Sequence, residues 1–454
     1  MNRLTLAEVA QVTGAEKNSD AEIFFEGVTT DSRRLNHGAL FVALKGEFFN
    51  GEDFAEESLN KGAAAVLVSK NFDKNLDGVV LKVDDTLTAY RKIAGAWRNR
   101  FKIPIVAVTG SNGKTTTKDL TAAALNSLGH VQKTSGNFNN EVGVPMTLLE
   151  LNDKHKAAVV EIGMRGLGQI ESLAQVVKPT IGIVTNVSET HFELLGSIEN
   201  IAKAKGELVS EIPAGGTIIL NADNRHTAKM KNLAGAGVKV VTYGLERGAD
   251  LTAKNILIGS VATEFTLNVG GAEYDFEIPM LGRHNVSNAL AAIAAGLSIG
   301  LSVEEIQRGI STLTTTKMRF EVIRRDGLTI INDAYNASPA SMRVAIKTTS
   351  EIYGQSGRLI AVLGDMMELG DISEHVHREI GAELVENKFD MLITLGELGK
   401  FIAAGAKDTG LKNIYSFDTH EAAAKKILEL VKDGDTILFK ASHVMHMEKI
   451  IELI

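Results

Sequence analysis

The chain's 454 residues carry 56 acidic side chains against 48 basic ones, a net charge of -8 with no basic tract, and they include no cysteine. The charge argues against a nucleic-acid partner, and the missing cysteine excludes disulfides, thiolate nucleophiles and cysteine zinc sites; chemistry must come from carboxylates, His, Lys and metal. At roughly 150 residues per domain the length suggests about three domains, and 44% apolar with 5% aromatic residues is ordinary for an α/β protein rich in small residues.

The opening residues, MNRLTLAEVAQVTGAE, place charges where a signal peptide needs an apolar stretch, so a cytoplasmic protein without membrane insertion is expected. A first segment, residues 1–102, holds strand-like pieces at 40–43, 65–68 and 79–81 and ends in a helix with the only tryptophan, Trp97.

Pro104 opens a second segment, 103–315, in which strand-like runs alternate with helical patterns. That alternation predicts a mostly parallel sheet covered by helices. The run 105–108 leads into TGSNGKTTT, residues 109–117, and then a helix-like stretch to Leu128 closed by Gly129. A glycine turn between strand and helix aims several backbone N–H groups and a helix dipole at one point, which suits a polyphosphate. The spacing is not that of a standard Walker A loop, because Val108 stands where its first glycine belongs. What stands is the shorter form Gly110-Ser111-Asn112-Gly113-Lys114-Thr115, followed by Thr116. Here Lys114 can reach the β- and γ-phosphates and the Thr115 hydroxyl can take magnesium, so ATP is the expected nucleotide.

Four further residues of this segment look chemical. Glu161 ends a strand-like run, at the sheet edge where α/β proteins bind ligands, and its carboxylate could hold magnesium or be merely solvated. His191 lies in the loop TNVSETHFE past another strand, where a histidine is a ligand or is simply solvated. Lys205 sits on the apolar face formed by Ile201, Leu208, Val209 and Ile212 of a helix beginning near Ser197, whereas Lys203 points the other way. There Lys205 either snorkels to water or is held near metal in a neutral or chemically altered form. Asn288, within the first two turns of an alanine-rich helix, is a ligand contact or a tolerated surface residue. The apolar stretch near 290–301 is too short to span a bilayer.

A third segment, 316–454, repeats the alternation with strand-like runs at 329–332, 359–363, 391–395 and 436–439, the pattern of a Rossmann-like doubly wound sheet.

Over essentially its whole length the chain resembles the Mur ligase family. The shared marks are TGSNGKTTT, Glu161, the His191 region leading into AKAKGE, HNVSNALAA and MRFE. The stretches GNFNNEVGVP (136–145), NDAYNASPASM (332–342) and VLGDMMELG (362–370) resemble the member that uses D-alanyl-D-alanine, and TTDSR (29–33) with ALFVALKGEFFNGEDF (39–54) resembles the domain for the UDP-sugar end. The resemblance implies an α/β protein of three domains: a small UDP-substrate domain, a central P-loop ATPase-like domain and a C-terminal Rossmann-like domain. It implies a monomeric, ATP-dependent ligase that joins D-alanyl-D-alanine to UDP-N-acetylmuramoyl-tripeptide through an acyl phosphate. Lys114 and the loop would hold ATP, while Thr115, Glu161 and His191 help hold two Mg2+ ions and Lys205 is carbamylated. Asn288 would contact adenine, with Arg319 and Asp333 reaching the γ-phosphate and ribose. Asp31, Ser32 and Arg33 would face the uridine diphosphate, and Asn139, Asn140 and Asn336 the rest of the substrate. Ser338-Pro339 reads as a helix cap and first turn.

The chain departs from the family at Lys440-Ala441-Ser442-His443, where Lys-Gly-Ser-Arg is usual. The alternatives weighed are a sister ligase that adds a diamino acid, whose Asp-Asn-Pro-Arg type motif is absent, a folylpolyglutamate synthase-like ligase, which has no equivalent of TTDSR, and an ATP-driven switch.

Overall fold

Strand Ile105–Thr109 is apolar on both faces and fully buried, as the centre of a parallel sheet covered on both sides must be. In the computed structural model, which describes residues 3–454 apart from 247 and 315, this strand pairs in parallel with His155–Glu161 and Ile181–Val184. They belong to a sheet of nine strands, whose parallel order continues outward through Thr217–Asn221, Lys239–Gly244 and Leu251–Ile258 on one side and His130–Lys133 on the other.

The sheet is mostly parallel, as the alternation predicts, with one antiparallel part that the sequence reading did not single out. Leu251–Ile258, Thr263–Val269 and Ala272–Ile278 form an antiparallel meander at one edge. Its last turn is the two-residue loop Gly270-Gly271, with φ of 61° and 90°. Such a turn needs positive φ at both positions, which glycine supplies without strain. The buried-exposed alternation of Thr263–Val269 around that Gly-Gly pair is a hairpin signal in the sequence, masked by the parallel pattern before it.

Helix Arg283–Ile299 packs on helix Lys114–Ala124, and eleven of its residues are buried. Alanines at 289, 291, 292, 294 and 295 let it approach closely, which explains the apolar stretch without a bilayer. Among the described residues no helix is long and apolar enough to cross a membrane. The helix after the phosphate loop is shorter than expected, ending at Ala124 and continuing as a 3-10 turn, Asn126–Leu128, before Gly129.

The C-terminal sheet runs Glu321–Arg325, Leu328–Asn332, Thr436–Lys440, Leu359–Gly364, Met391–Leu395 and Asn413–Phe417, parallel except for its first, antiparallel edge strand. The N-terminal residues build a five-stranded sheet that includes Leu40–Val42, Ala65–Ser69 and Val80–Val83. Helix Thr86–Arg98 joins it to the central layer. Trp97 Nε1 donates to the Leu151 carbonyl at 3.0 Å and Arg98 donates to the Val177 and Lys178 carbonyls at 2.7 and 2.9 Å.

Candidate active site

The phosphate loop leaves its strand through Gly110, φ 146°, and enters its helix through Gly113, φ 79°. A Cβ on Gly110 would lie 1.9 Å from Thr185 Oγ1, and one on Gly113 would lie 2.5 Å from Asn288 Oδ1. Both positions therefore require glycine for space as well as for φ. The neighbouring strand end pins the loop: Asn112 N donates to Asn186 Oδ1 at 2.9 Å, and Thr185 Oγ1 donates to the Asn112 carbonyl at 2.6 Å. Lys114 folds back over it, its Nζ donating to the carbonyls of Gly110 and Ser111 at 2.9 and 3.1 Å. Its side chain is half-buried, and desolvation lowers its pKa against the opposing pull of Glu161.

Glu161 sits 2% exposed at the end of its strand. Its Oε2 accepts the Thr115 hydroxyl at 2.9 Å and its Oε1 accepts Asn139 Nδ2 at 2.7 Å. A buried carboxylate beside a hydroxyl is the oxygen donor set that magnesium favours. From the C-terminal sheet Arg319 Nη2 donates to the same Thr115 hydroxyl at 2.8 Å, and its guanidinium lies 4.0 Å from the Tyr335 ring centre. The sequence reading leaves Tyr335 unassigned, although it stands inside the quoted motif.

Lys205 is on helix Ile198–Ser210, capped by Ser197, and is 2% exposed. The fold removes the snorkelling alternative, while Lys203 is exposed. No hydrogen bond or ion pair from Lys205 occurs among the described residues, and burial together with nearby Lys114 pushes its pKa well below the usual lysine value. His191, in the left-handed region at φ 59°, precedes the short helix Phe192–Leu195. Its Nδ1 is 2.5 Å from Glu368 Oε2, a partner the sequence reading missed because it lies 177 residues away.

Asn288 is buried rather than on the surface; its Oδ1 accepts the Thr117 hydroxyl at 3.2 Å and its Nδ2 donates to Asn285 Oδ1 at 3.2 Å. Asp333 is held by Lys440, Nζ to Oδ2 at 2.6 Å, and by the Phe320 N–H at 3.0 Å. That pairing engages the Lys440 ammonium, and His443, at the position where the family usually has arginine, stacks on Tyr335, ring centres 5.5 Å apart. Ser338 caps helix Pro339–Tyr353 as expected, and its hydroxyl also donates to Asn112 Oδ1 at 2.9 Å, tying the C-terminal sheet to the phosphate loop.

Lys114, Thr115, Glu161, His191, Asn288, Arg319, Asp333 and Ser338 line one cleft of about 930 Å³ between the central and C-terminal sheets, with Ser111, Thr116, Asn139, Asn140 and Asn336 also on its wall, whereas the buried Lys205 is not among its lining residues. Asn140 Oδ1 accepts the N–H groups of Val142 and Gly143 at 3.2 and 2.9 Å, which gives it a local turn role as well. Asp31, Ser32 and Arg33 are not among the cleft residues. Asp31 caps the turn Ser32–Arg34 and pairs with Arg33, whose guanidinium holds its carboxyl at about 2. His284, on the cleft wall edge-on to Phe320, is kept neutral by burial, its pKa lowered to about 4.

Three family models match in turn: "Mur ligase family, catalytic domain" over residues 25–98, "Mur ligase middle domain" over 108–296 and "Mur ligase, glutamate ligase domain" over 318–443. The chain belongs to the Mur ligase family. Members are ATP-dependent ligases, and this chain is one. It is 41% identical over 453 residues to UDP-N-acetylmuramoyl-tripeptide--D-alanyl-D-alanine ligase of Bacillus subtilis, covering 98% of this chain and 96% of the relative. It superposes on a crystal structure of MurF from Acinetobacter baumannii with a TM-score of 0.91 at 30% identity, covering 100% and 98% of the two chains. The MurF ligase of Thermotoga maritima, solved in complex with ADP, matches with a TM-score of 0.83 at 27% identity, over 94% and 96%.

Proposed function

We propose that the chain joins D-alanyl-D-alanine to UDP-N-acetylmuramoyl-tripeptide, driven by ATP. The observation that carries this reading is the convergence of the phosphate loop, Glu161 and the 333–341 segment on one cleft, in a chain similar end to end to ligases named for that reaction. A carboxylate and an amine do not condense in neutral water. The terminal carboxylate of the tripeptide therefore attacks the γ-phosphorus of ATP, giving an acyl phosphate and ADP. The dipeptide's amine then attacks the acyl carbon, phosphate leaves with the bonding pair, and the amine gives up its proton.

Lys114 gives up its loop carbonyls for phosphate oxygens, and Arg319, already at Thr115, adds a second cation where charge develops; both act by position and electrostatics. Thr115 and Glu161, with His191 and Lys205, are the residues we assign to two magnesium ions, which neutralise the transferring phosphoryl group when bound. Lys205 as an ammonium does not suit such a place. As a neutral amine it can attack carbon dioxide, forming an N–C bond and releasing a proton, and the resulting carbamate is an anion that suits metal well. Asn288 beside the loop glycine supports an adenine contact there. Asp31, Ser32 and Arg33 are assigned to the uridine diphosphate, Asn139, Asn140 and Asn336 to the peptide side, and Asp333 to the ribose. Docking of the C-terminal sheet through Ser338 and Arg319 excludes water that would hydrolyse the acyl phosphate.

Phosphate release tests the proposal. It should require both UDP-muramoyl-tripeptide and D-alanyl-D-alanine; turnover with UDP-muramoyl-dipeptide and a free diamino acid would move the assignment to the sister ligase.

A further inference from the structure

The loop after strand Leu359–Gly364 carries a carboxylate into the cleft from the C-terminal sheet. Glu368 Oε2 meets His191 Nδ1 at 2.5 Å, its Oε1 accepts Arg165 Nη2 at 3.3 Å, and its carbonyl accepts the Glu193 N–H at 3.2 Å. Glu368 and His191 both occupy the left-handed region, at φ 63° and 59°. Residues with side chains rarely adopt it and hold it only where their surroundings impose it. Two positions on, Gly370 lies so close that a Cβ there would be 3.3 Å from Glu193 Cα. The loop is fixed from behind within its own sheet. His377, fully buried, accepts the Met366 N–H on Nε2 at 3.0 Å while its Nδ1 lies 2.7 Å from the Ser373 carbonyl, and Ser442 Oγ accepts the Met367 N–H at 3.0 Å. A rigid loop of one sheet thus delivers a carboxylate to a histidine of the other.

We propose that Glu368 is a positioning residue: it holds His191 in the tautomer protonated on Nδ1, so that the Nε2 lone pair is free for a metal only when the C-terminal sheet has docked. This rests on the reading of His191 as a magnesium-side group. An imidazole whose one nitrogen donates to a carboxylate presents the other as a stronger and better oriented ligand, and loss of such a partner typically weakens metal affinity or activity about 10- to 100-fold. Docking of the sheets and completion of the metal site then become one event, and a separated C-terminal sheet leaves His191 free to tumble.

Nitrogen-15 NMR of the full-length protein with labelled histidine reads the tautomer directly. His191 should be protonated on Nδ1 in the wild type and should shift toward the Nε2-protonated form in Glu368→Ala. The magnesium concentration for half-maximal phosphate release should rise about 10- to 100-fold in Glu368→Ala, and less in Glu368→Gln, whose amide oxygen still accepts. KM for the UDP-substrate should stay unchanged and saturating magnesium should restore most of kcat. A wild-type His191 unprotonated on Nδ1, or a Glu368→Ala enzyme with the wild-type magnesium requirement, overturns the proposal. Should Glu368→Ala not fold, the wild-type tautomer and Glu368→Gln decide. A wild-type protein that releases no phosphate with both substrates refutes the ligase reading instead, and the tautomer measurement, which needs no turnover, still decides the role of Glu368.

Discussion

Replacing Lys205 by Met removes the ionisable amine while keeping most of the volume of a side chain that is 2% exposed. Because burial and Lys114 lower its folded pKa well below 10.5, the unfolded chain binds a proton that the native one does not, throughout the window between the folded value and 10.5. The sign follows: in carbon dioxide-free buffer wild-type stability rises with pH across that window, by at most about 1.4 kcal/mol per pH unit for one proton. Lys205→Met lacks this term. It should be more stable than the wild type near pH 7, by about 1–4 kcal/mol on the scale of replacing buried ionic groups by apolar ones, with the gap narrowing as pH rises toward 10. Urea unfolding at several pH values measures this. Activity should move the other way, falling about a hundredfold or more, the scale of one preorganised electrostatic contact. Lys205→Ala should fold, lose most activity and recover part of it with acetate, which can occupy the vacated anion position, while Lys203→Ala should do little. A fully active Lys205→Ala, or Lys203→Ala as the more damaging change, would falsify the carbamate assignment.

Lys114→Ala should slow single-turnover acyl-phosphate formation by about a hundredfold or more, and a near-normal rate refutes the phosphate-loop assignment. Asp333→Ala leaves Lys440, whose side chain is 3% exposed, buried without its carboxylate; denaturant unfolding should show a loss of about 3 kcal/mol, that of breaking a buried pair from one side, and an unchanged midpoint would mean that the pair is solvated. For His284 the folded pKa of about 4 lies below the ordinary 6.5, so the unfolded state takes up the extra proton and stability falls as pH drops from about 6.5 to 4. The loss is on the order of 2–3 kcal/mol; His284→Phe should flatten that limb of a stability–pH curve, and an identical limb in the mutant refutes the assignment.

Much of the site is legible in the chain because its signals are local. A glycine turn followed by lysine and threonine needs only nine contiguous residues to declare a phosphate loop, and the apolar stripe around Lys205 is a matter of helical spacing. The parallel strands show as short β-branched runs for the same reason, whereas the antiparallel meander at 251–278 and the edge strand Glu321–Arg325 depend on register between strands.

What the sequence alone determined is therefore the chemistry within each segment: which loop cradles phosphate, which strand end offers a carboxylate, which lysine faces inward. What only tertiary structure decided is which partner each group meets. Tyr335 under Arg319, Lys440 on Asp333, Ser338 on Asn112 and Glu368 on His191 are contacts between residues up to 226 positions apart. No local periodicity encodes such pairs, because the first two need strands of one sheet to be set side by side and the last two need the central and C-terminal sheets to meet; a charge or hydroxyl in a loop reads the same from sequence whether it ends in water or against a partner.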